Sequence, residues 1–128
     1  VERLGVGDRV TFTGFWENVA DVYALADVVV VPSYDENLPK VIQEALAWEV
    51  PVVASRSGGI PELVEDGQTG LLIPADDDGT ALARSVTRLL DDTEFATTLA
   101  TAGHDRLRSE FDIDVVSQRL EEVYQVVV

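Results

Sequence analysis

Two glutamates, Glu36 and Glu44, stand on either side of the start of a predicted helix, within residues 33–54. A carboxylate can accept hydrogen bonds from pairs of neighbouring hydroxyl groups. The free amides of a helix's first turn favour an anion, and a phosphate or diphosphate is the usual one. The pattern therefore favours a ligand that carries hydroxyls on both sides of a diphosphate, and a nucleotide sugar has that arrangement.

These side chains must be positioned by a buried strand, a polar loop, a helix and a second buried strand. The apolar run at residues 28–31 has no polar alternation, which is typical of a parallel strand covered on both faces. Pro39 then stands where a helix can begin. With residues 52–54 as the next strand, the loop and the helix start lie at the carboxyl edge of a parallel sheet, where ligands bind. We expect four residues on the buried face of this helix: Val41, Ile42, Ala45 and Leu46.

The remaining sequence alternates β-branched runs with helical periodicity, which indicates an α/β fold. Two further strands are predicted at residues 9–13 and 70–73, and a short helix at 61–64. Three longer helices are predicted at residues 80–90, 94–108 and 115–127, the last capped by Asp112. Their expected inward residues are Leu82, Val86 and Leu89; Phe95, Leu99 and Leu107; and Val116, Leu120, Val123, Tyr124 and Val127. Before the first apolar run, one more helical face is predicted from Val19, Val22, Tyr23 and Ala26.

The chain is strongly acidic, with 24 acidic and 9 basic residues, a formal net charge of −15 and Lys40 as its only lysine. No basic stripe is left to neutralise phosphates, so we expect no nucleic-acid partner. An evenly acidic surface over an ordinary apolar core is typical of proteins from salt-loving organisms, where salt screens the repulsion. The sequence has no cysteine and no apolar run as long as a membrane span, and we expect a cytoplasmic protein.

The paired glutamates, with Leu38-Pro39 and Glu44-Ala45 in the same motif, resemble those of the family 4 glycosyltransferases, which have the GT-B fold. The likeness extends over nearly the whole chain. It implies a partial Rossmann-like parallel sheet of about four strands with helices on both faces, in which residues 1–128 form a single truncated domain, the C-terminal half of a donor-binding domain. Five further blocks carry the resemblance: Val-x-Phe-x-Gly at 10–14, Ala-Asp-x-x-x-x-Pro-Ser at 26–33, Pro-Val-Val-Ala at 51–54, Gly-Gly-Ile-Pro-Glu at 58–62 and Asp-Gly-x-Thr-Gly-Leu-Leu at 66–72.

The resemblance also implies roles for residues of the motif. Glu36 is expected to bind hydroxyls of the donor sugar and to be catalytic, while Glu44 holds the ribose hydroxyls of the nucleotide. Transfer is expected to retain the anomeric configuration, without metal or cofactor, from a nucleotide diphosphate sugar as substrate. The acceptor, a glycan, lipid or small molecule, is expected to be bound by another domain. The other expected donor-binding residues are Asn37, Leu38, Lys40, Val41, Gly58 and Gly59.

Three positions depart from the family pattern: Asn37, where a glycine is common, and Trp48-Glu49, which replace a small residue and a glycine. Without that glycine, the helix must end differently unless Glu49 adopts a left-handed conformation. Trp48 is a candidate to cover an apolar patch.

Several other residues have two readings each. Gly58-Gly59 form a tight turn, approach the nucleotide, or both, and Glu62 caps a short helix or contacts ligand. Arg56 and Lys40 are candidate phosphate contacts. We expect His104 to be a solvated surface residue, and residues 76–78, all aspartates, to form a solvated loop and helix N-terminus rather than a cation site.

Two alternatives to a donor-binding enzyme domain are a flavodoxin-like binding or signalling module and a scaffold that has lost activity. The acidic and lysine positions of a phospho-acceptor receiver are not found in the sequence. In the family's sheet order, 3-2-1-4-5-6, this chain holds strands 3 to 6, so the edge at residues 28–31 is open. We therefore expect the chain to self-associate, or the strand at 9–13 to be disordered or relocated, and the chain alone to be inactive.

Overall fold

The structure is a computed structural model that describes residues 2–127, with side chains for residues 3–126. Its centre is one parallel sheet, in which Val53 of the middle strand lies between Val30 and Leu71 of the outer strands. All four residues of the middle strand are buried, as the continuous apolar pattern predicts for a strand covered on both faces. In the order found across the sheet, the strands are β1 (Val29–Val31), β2 (Val52–Ser55) and β3 (Leu71–Ile73).

Every predicted helix is present in the described chain, with bounds that differ by a few residues from those expected. Two short 3-10 helices, Glu2–Leu4 and Gly7–Arg9, precede them. The α-helices are α1 (Val19–Leu25), α2 (Lys40–Ala47), α3 (Ile60–Leu63), α4 (Thr80–Asp91), α5 (Thr93–Glu110) and α6 (Ile113–Val127).

Two apolar clusters lie on opposite faces of the sheet. Val52 and Ala54 point into the cluster formed with α1, α2 and α3, whereas Val53 points into the cluster formed with α4 and α5. This alternation follows from the two-residue period of a strand. The predicted α/β architecture with helices on both faces is thus confirmed.

The predicted strand at residues 9–13 is not formed, so the sheet has three strands instead of about four. Phe12 is 83% exposed, and residues 10–13 make no ladder with any described strand. A β-branched run becomes a strand only where a neighbour satisfies its amides and carbonyls. Here the segment leads to residues 13–16, which lie beside α1 and the outer edge of β1.

Three valines predicted to be buried are exposed: Val19 and Val22 of α1, and Val41 of α2. They line a groove of about 490 Å³ that also includes the open edge of β1. Tyr23 is the residue of the α1 face that is buried. Helical spacing correctly places these side chains on one side of each helix, but it does not say whether another element covers that side.

The predicted inward face of α6 is also exposed. Val116, Leu120, Val123 and Tyr124 all lie on the surface, and the main packing partner of α6 among the described elements is α5. The side chain of Val127, expected on the same face, lies outside the described residues. Asp112 does cap this helix: its Oδ1 accepts from the amide of Asp114 at 3.0 Å.

An unusual residue terminates α2: Glu49, two positions after the last helical residue Ala47, has a φ of 52°. The amide of Glu49 donates to the carbonyl of Leu46 at 3.1 Å, and the amide of Val50 donates to that of Ala45 at 2.9 Å. This is the hydrogen-bond pattern of a Schellman motif, in which glycine is the usual left-handed residue. The left-handed alternative for Glu49 is therefore confirmed, and Trp48 beside it is half-exposed.

Candidate functional site

The carboxyl ends of β1 and β2 carry two loops, residues 32–39 and 56–59, that pack directly on each other. The amide of Gly59 donates to the carbonyl oxygen of Glu36 at 2.9 Å. The hydroxyl of Ser57 donates to the carbonyl oxygen of Ser33 at 3.0 Å. Because both acceptors are backbone atoms, these bonds fix the path of the loop that carries Glu36.

Gly58 and Gly59 allow this close approach because neither has a side chain. A Cβ at position 58 would overlap the carbonyl oxygen of Glu36, and one at position 59 would overlap that of Asn37. Gly58 also has a φ of 49°, a left-handed conformation that favours glycine. The turn reading is confirmed at Gly58, whereas contact of either glycine with a nucleotide stays a prediction. Sequence spacing did not reveal the packing of one loop on the other.

The side chain of Glu36 is half-buried at this edge of the sheet. Its Oε1 accepts a hydrogen bond from the hydroxyl of Ser33 at 3.3 Å. That distance is longer than the usual range for an O–H···O bond, so the restraint is weak. The carboxylate thus keeps acceptor capacity for hydroxyl groups of a ligand.

Glu44 lies about one turn inside α2, which begins at Lys40. It is held by a residue that the sequence did not single out for this role. The hydroxyl of Tyr23 in α1 donates to Oε2 of Glu44 at 2.8 Å. Burial, together with the hydrogen bond to Glu44 and the negative charge of Glu44, raises the pKa of Tyr23 to about 12. At neutral pH the phenol is therefore protonated and can act as the donor.

The start of α2, between the two carboxylates, presents unused backbone donors. The carbonyl of Pro39 accepts from Ile42 and Gln43, but the amides of Lys40 and Val41 have no acceptor among residues 2–127. No side chain of the described chain caps this end. The helix start can therefore donate to an anion, as the sequence predicts.

The side chains around this helix start are accessible. Asn37, Leu38, Lys40 and Val41 are all exposed, so a ligand can reach each of them from solvent. Pro39 is the residue before the helix rather than its first turn, because α2 begins at Lys40.

The two candidate phosphate contacts differ in their surroundings. Arg56 forms an ion pair with Asp66 at 2.9 Å, and Asp66 also accepts from the amide of Leu72 at 2.9 Å. Lys40 is exposed and takes part in none of the ion pairs found in the described chain. Lys40 is therefore the better placed of the two to meet an anion at the helix start.

Glu62 and His104 do not have the structural roles expected of them. Glu62 is exposed, and no side chain in the described chain caps α3, so the capping reading is wrong and ligand contact stays a prediction.

His104 is half-buried, and its Nδ1 lies 3.2 Å from the carbonyl oxygen of Leu46. Because a carbonyl only accepts, Nδ1 carries the proton and joins α5 to α2. The expectation of a solvated histidine was wrong, since the helical period alone did not show that α2 packs there.

The acidic run at residues 76–78 forms a helix N-terminus, as predicted. Asp77 accepts from the amides of Ala81 and Leu82 at 2.9 and 3.0 Å, which lowers the pKa of its carboxyl below the usual value. Asp78 accepts from the amide of Thr80 at 3.0 Å.

Within residues 2–127 no group of three or more potential ligands is arranged to hold a metal ion. In the same part of the chain, no helix combines the length and the apolar character that crossing a membrane requires.

Fold and candidate site together indicate a class of protein: a Rossmann-like unit with a candidate ligand site at the carboxyl edge of its parallel sheet. The family model described as glycosyl transferases group 1 matches residues 1–92. The chain belongs to this family, and its fold is that of the C-terminal Rossmann-like domain of GT-B glycosyltransferases.

Three relatives illustrate the match. The N-acetyl-alpha-D-glucosaminyl L-malate synthase of Bacillus anthracis is 32% identical, over 97% of this chain and 32% of its own length. The sucrose-phosphate synthase of Thermosynechococcus elongatus is 38% identical with a TM-score of 0.88, over 98% of this chain and 32% of that one. Anabaena HepE, solved in complex with UDP, is 32% identical with a TM-score of 0.91, over 98% of this chain and 34% of that one.

The chain therefore spans about a third of the length of these relatives. The relatives are glycosyltransferases in which this region is one part of a larger protein. Their agreement does not favour the alternative of a flavodoxin-like or scaffold module.

Proposed function

We propose that this chain is the donor-binding part of a retaining glycosyltransferase, which moves a sugar from a nucleotide diphosphate sugar to an acceptor hydroxyl. Residues 1–128 then form the second half of the nucleotide-sugar-binding domain. The observation that carries this proposal is the helix start with open amides at Lys40 and Val41, with Glu36 before it and Glu44 after it in the chain. HepE has been solved with UDP and with UDP-glucose, which makes UDP-glucose the first donor to test.

Each part of the site matches one part of such a donor. Glu36 accepts hydrogen bonds from hydroxyls of the sugar, and Glu44 accepts them from hydroxyls of the ribose. The amides of Leu38, Lys40 and Val41 face the sugar and the diphosphate, with Asn37, Gly58 and Gly59 at the margin of the site. Donors aimed at the diphosphate stabilise the charge that develops as it leaves, so these amides contribute to catalysis without proton transfer.

The reaction proceeds on one face of the sugar. The acceptor oxygen bonds to the anomeric carbon on the side from which the diphosphate departs, and the carbon–oxygen bond to phosphate breaks. A leaving phosphate oxygen takes the acceptor's proton, so no metal or cofactor is required. The acceptor, a glycan, lipid or small molecule, is bound by another domain, and this chain alone is inactive. A cytoplasmic, salt-rich setting suits the net charge of −15.

The helix start can be tested directly, because Lys40 is the only lysine of this chain. The full-length protein that contains the chain is labelled with ¹⁵N-lysine, and a Lys40→Arg variant identifies the Lys40 amide signal. We expect this signal to shift with at least one of UDP-glucose, UDP-N-acetylglucosamine, GDP-mannose and ADP-glucose, and also with the matching nucleoside diphosphate. Free glucose, which has no diphosphate, serves as the control and leaves the signal unchanged. An unshifted Lys40 amide with all four donors contradicts the proposed function.

A further inference from the structure

Tyr23 joins two elements that are distant in sequence but meet at the candidate site. The residue lies in α1, and 8% of it is exposed to solvent. Its ring packs in the apolar cluster that includes Val31 and Ile42, and this packing fixes the position of the hydroxyl group at the edge of the core. That position is beside Glu44, which lies 21 positions further along the chain.

The bond between these two side chains has a defined direction and strength. The hydroxyl of Tyr23 donates to Oε2 of Glu44 at 2.8 Å, a length typical of a strong O–H···O bond. A hydrogen bond to an ionised acceptor is about twice as strong as one between neutral groups. In comparison, Ser33 approaches Glu36 only to 3.3 Å and from three residues away. Glu44 is therefore restrained more firmly than Glu36.

The restraint leaves the other carboxylate oxygen for a ligand. Oε1 of Glu44 accepts from no donor in the described chain, and the side chain is half-exposed to solvent. We propose that Tyr23 is a positioning residue of the donor site: it holds Oε2 of Glu44 so that Oε1 faces the ribose hydroxyls of the nucleotide. This inference rests on the proposed function, because it assigns a partner to a side chain of that same site.

Substitution can separate two effects of Tyr23, the packing of its ring and the hydrogen bond that its hydroxyl donates. Phenylalanine fills the same space in the apolar cluster but cannot donate to Glu44. In Tyr23→Phe the carboxylate regains rotational freedom and must be ordered by the ligand, at a cost in affinity. Because the loss of affinity arises from ordering the Glu44 carboxylate, we expect no loss when Glu44 is replaced or when the ligand has no ribose hydroxyls.

The test measures nucleotide affinity by calorimetry in the full-length protein. Wild type, Tyr23→Phe, Glu44→Ala and the double variant are titrated with UDP and with its 2′,3′-dideoxy analogue, or with the GDP or ADP pair if the Lys40 experiment selects those donors. We expect Tyr23→Phe to weaken binding of the ribonucleotide about fivefold to tenfold, which lies within the range for one typical hydrogen bond. We expect no further loss in the Glu44→Ala background and no effect on the dideoxy analogue. Tyr124→Phe on α6, which keeps an exposed ring, is the matched control and binds as wild type does.

A measurement on the free protein covers the case in which Tyr23→Phe folds poorly. With ¹³C-tyrosine labelling, Glu44→Gln should lower the pKa of Tyr23 from about 12, because it removes the charge and weakens the hydrogen bond. An unchanged Tyr23 pKa overturns the proposal, as does equal weakening of both nucleotides by Tyr23→Phe. A Lys40 amide that shifts with donor while Tyr23→Phe leaves ribonucleotide affinity unchanged refutes the positioning role alone. An unshifted Lys40 amide refutes the proposed function itself.

Discussion

The position of Glu36 depends on a glycine that is 22 residues away in sequence. Gly58 has a positive φ, and its α-carbon lies so close to the Glu36 carbonyl that a side chain would overlap it. The amide of Gly59 then binds the same carbonyl at 2.9 Å. At the scale of single residues, the geometry of the site is therefore set by backbone contact between two loops.

Gly58→Ala should displace the loop that carries Glu36, because the new Cβ meets the Glu36 carbonyl in addition to the left-handed strain. Gly67→Ala is the matched control: its φ is 74°, but a Cβ there has nothing within 4 Å. Left-handed strain alone costs about 1–2 kcal/mol. We expect Gly58→Ala to lower the free energy of unfolding by more than Gly67→Ala, and to weaken donor binding when Gly67→Ala does not. Equal losses in chemical denaturation and in donor affinity would show that the loops are not coupled through this contact.

Single residues with chemical character could be recognised from the sequence, but their partners could not. The spacing of Glu36 and Glu44 around a helix start is local, and the structure does place Glu36 in the loop before α2 and Glu44 within that helix. The partner of Glu44 is Tyr23, which lies in another helix, and periodicity assigns it only to an apolar face. His104 was misjudged for the same reason, since its contact with Leu46 joins helices 58 residues apart in sequence.

At the scale of secondary structure, helix termini show how local sequence controls the elements. The start of α2 has no side-chain cap and leaves amides open for a ligand. The start of α4, by contrast, is closed by Asp77, whose two carboxylate oxygens accept from Ala81, Leu82 and Gly79. A capped helix start has a structural role, whereas an uncapped one at a ligand edge remains available for binding.

The Asp77 cap gives a pH-dependent prediction. Amide hydrogen bonds from Leu82 and Ala81 lower the pKa of Asp77 in the folded protein. Its contribution is therefore fully present above the unfolded-state pKa and is lost as the pH falls through the folded-state pKa. Asp77→Asn should lower the midpoint of thermal unfolding at neutral pH, and the difference from wild type should shrink as the solution is acidified.

Asp76→Asn provides the control for this cap, since Asp76 is exposed and accepts no amide hydrogen bond in the described chain. Its midpoint should follow that of wild type at each pH. A difference between Asp77→Asn and wild type that stays constant during acidification would contradict the assignment of Asp77 as an ionised cap.

Helices and strands could be predicted where their sequence pattern is local and where the neighbouring elements that pair with them are present in the chain. Strands β1, β2 and β3 and all six helices follow from apolar runs and helical periods, although the two-sided cover expected for the run at residues 28–31 is missing at Val30, which is exposed. The strand predicted from the β-branched run at residues 9–13 does not form, which agrees with the expectation of a displaced segment where the neighbouring strand is missing. Strand formation needs a pairing partner, which is not a local property. The exposed face of α6 shows the corresponding limit for helices: amphipathic spacing identifies an apolar face but not what covers it.

At the scale of the whole molecule, the open edge of β1 is one exposed apolar region, and the apolar face of α6 is another. Val30 is 38% exposed on that edge, and Phe15 near it is 93% exposed. An unpaired parallel edge with apolar neighbours favours pairing with another chain. We predict that the chain of residues 1–128 self-associates in solution, as measured by light scattering across a concentration series.

Val30→Lys should reduce this association, because a lysine on an edge strand disfavours pairing with another strand. Thr98→Lys, on the exposed surface of α5, adds the same charge elsewhere and is the control. A monomeric wild-type chain at all concentrations, or equal effects of the two lysines, would exclude association through the edge of β1.

The central claim is that Glu36 binds the sugar and Glu44 binds the ribose of one donor. Calorimetry on the full-length protein tests it with two ligands, the accepted nucleotide sugar and the same nucleoside diphosphate without sugar. Glu36→Gln should weaken the nucleotide sugar about tenfold and leave the nucleoside diphosphate unchanged, whereas Glu44→Gln should weaken both by a similar factor. Glu94→Gln on α5 is the control for loss of one acidic charge and should change neither affinity. If Glu36→Gln leaves the ratio of the two affinities at its wild-type value, Glu36 does not contact the sugar and the account is contradicted.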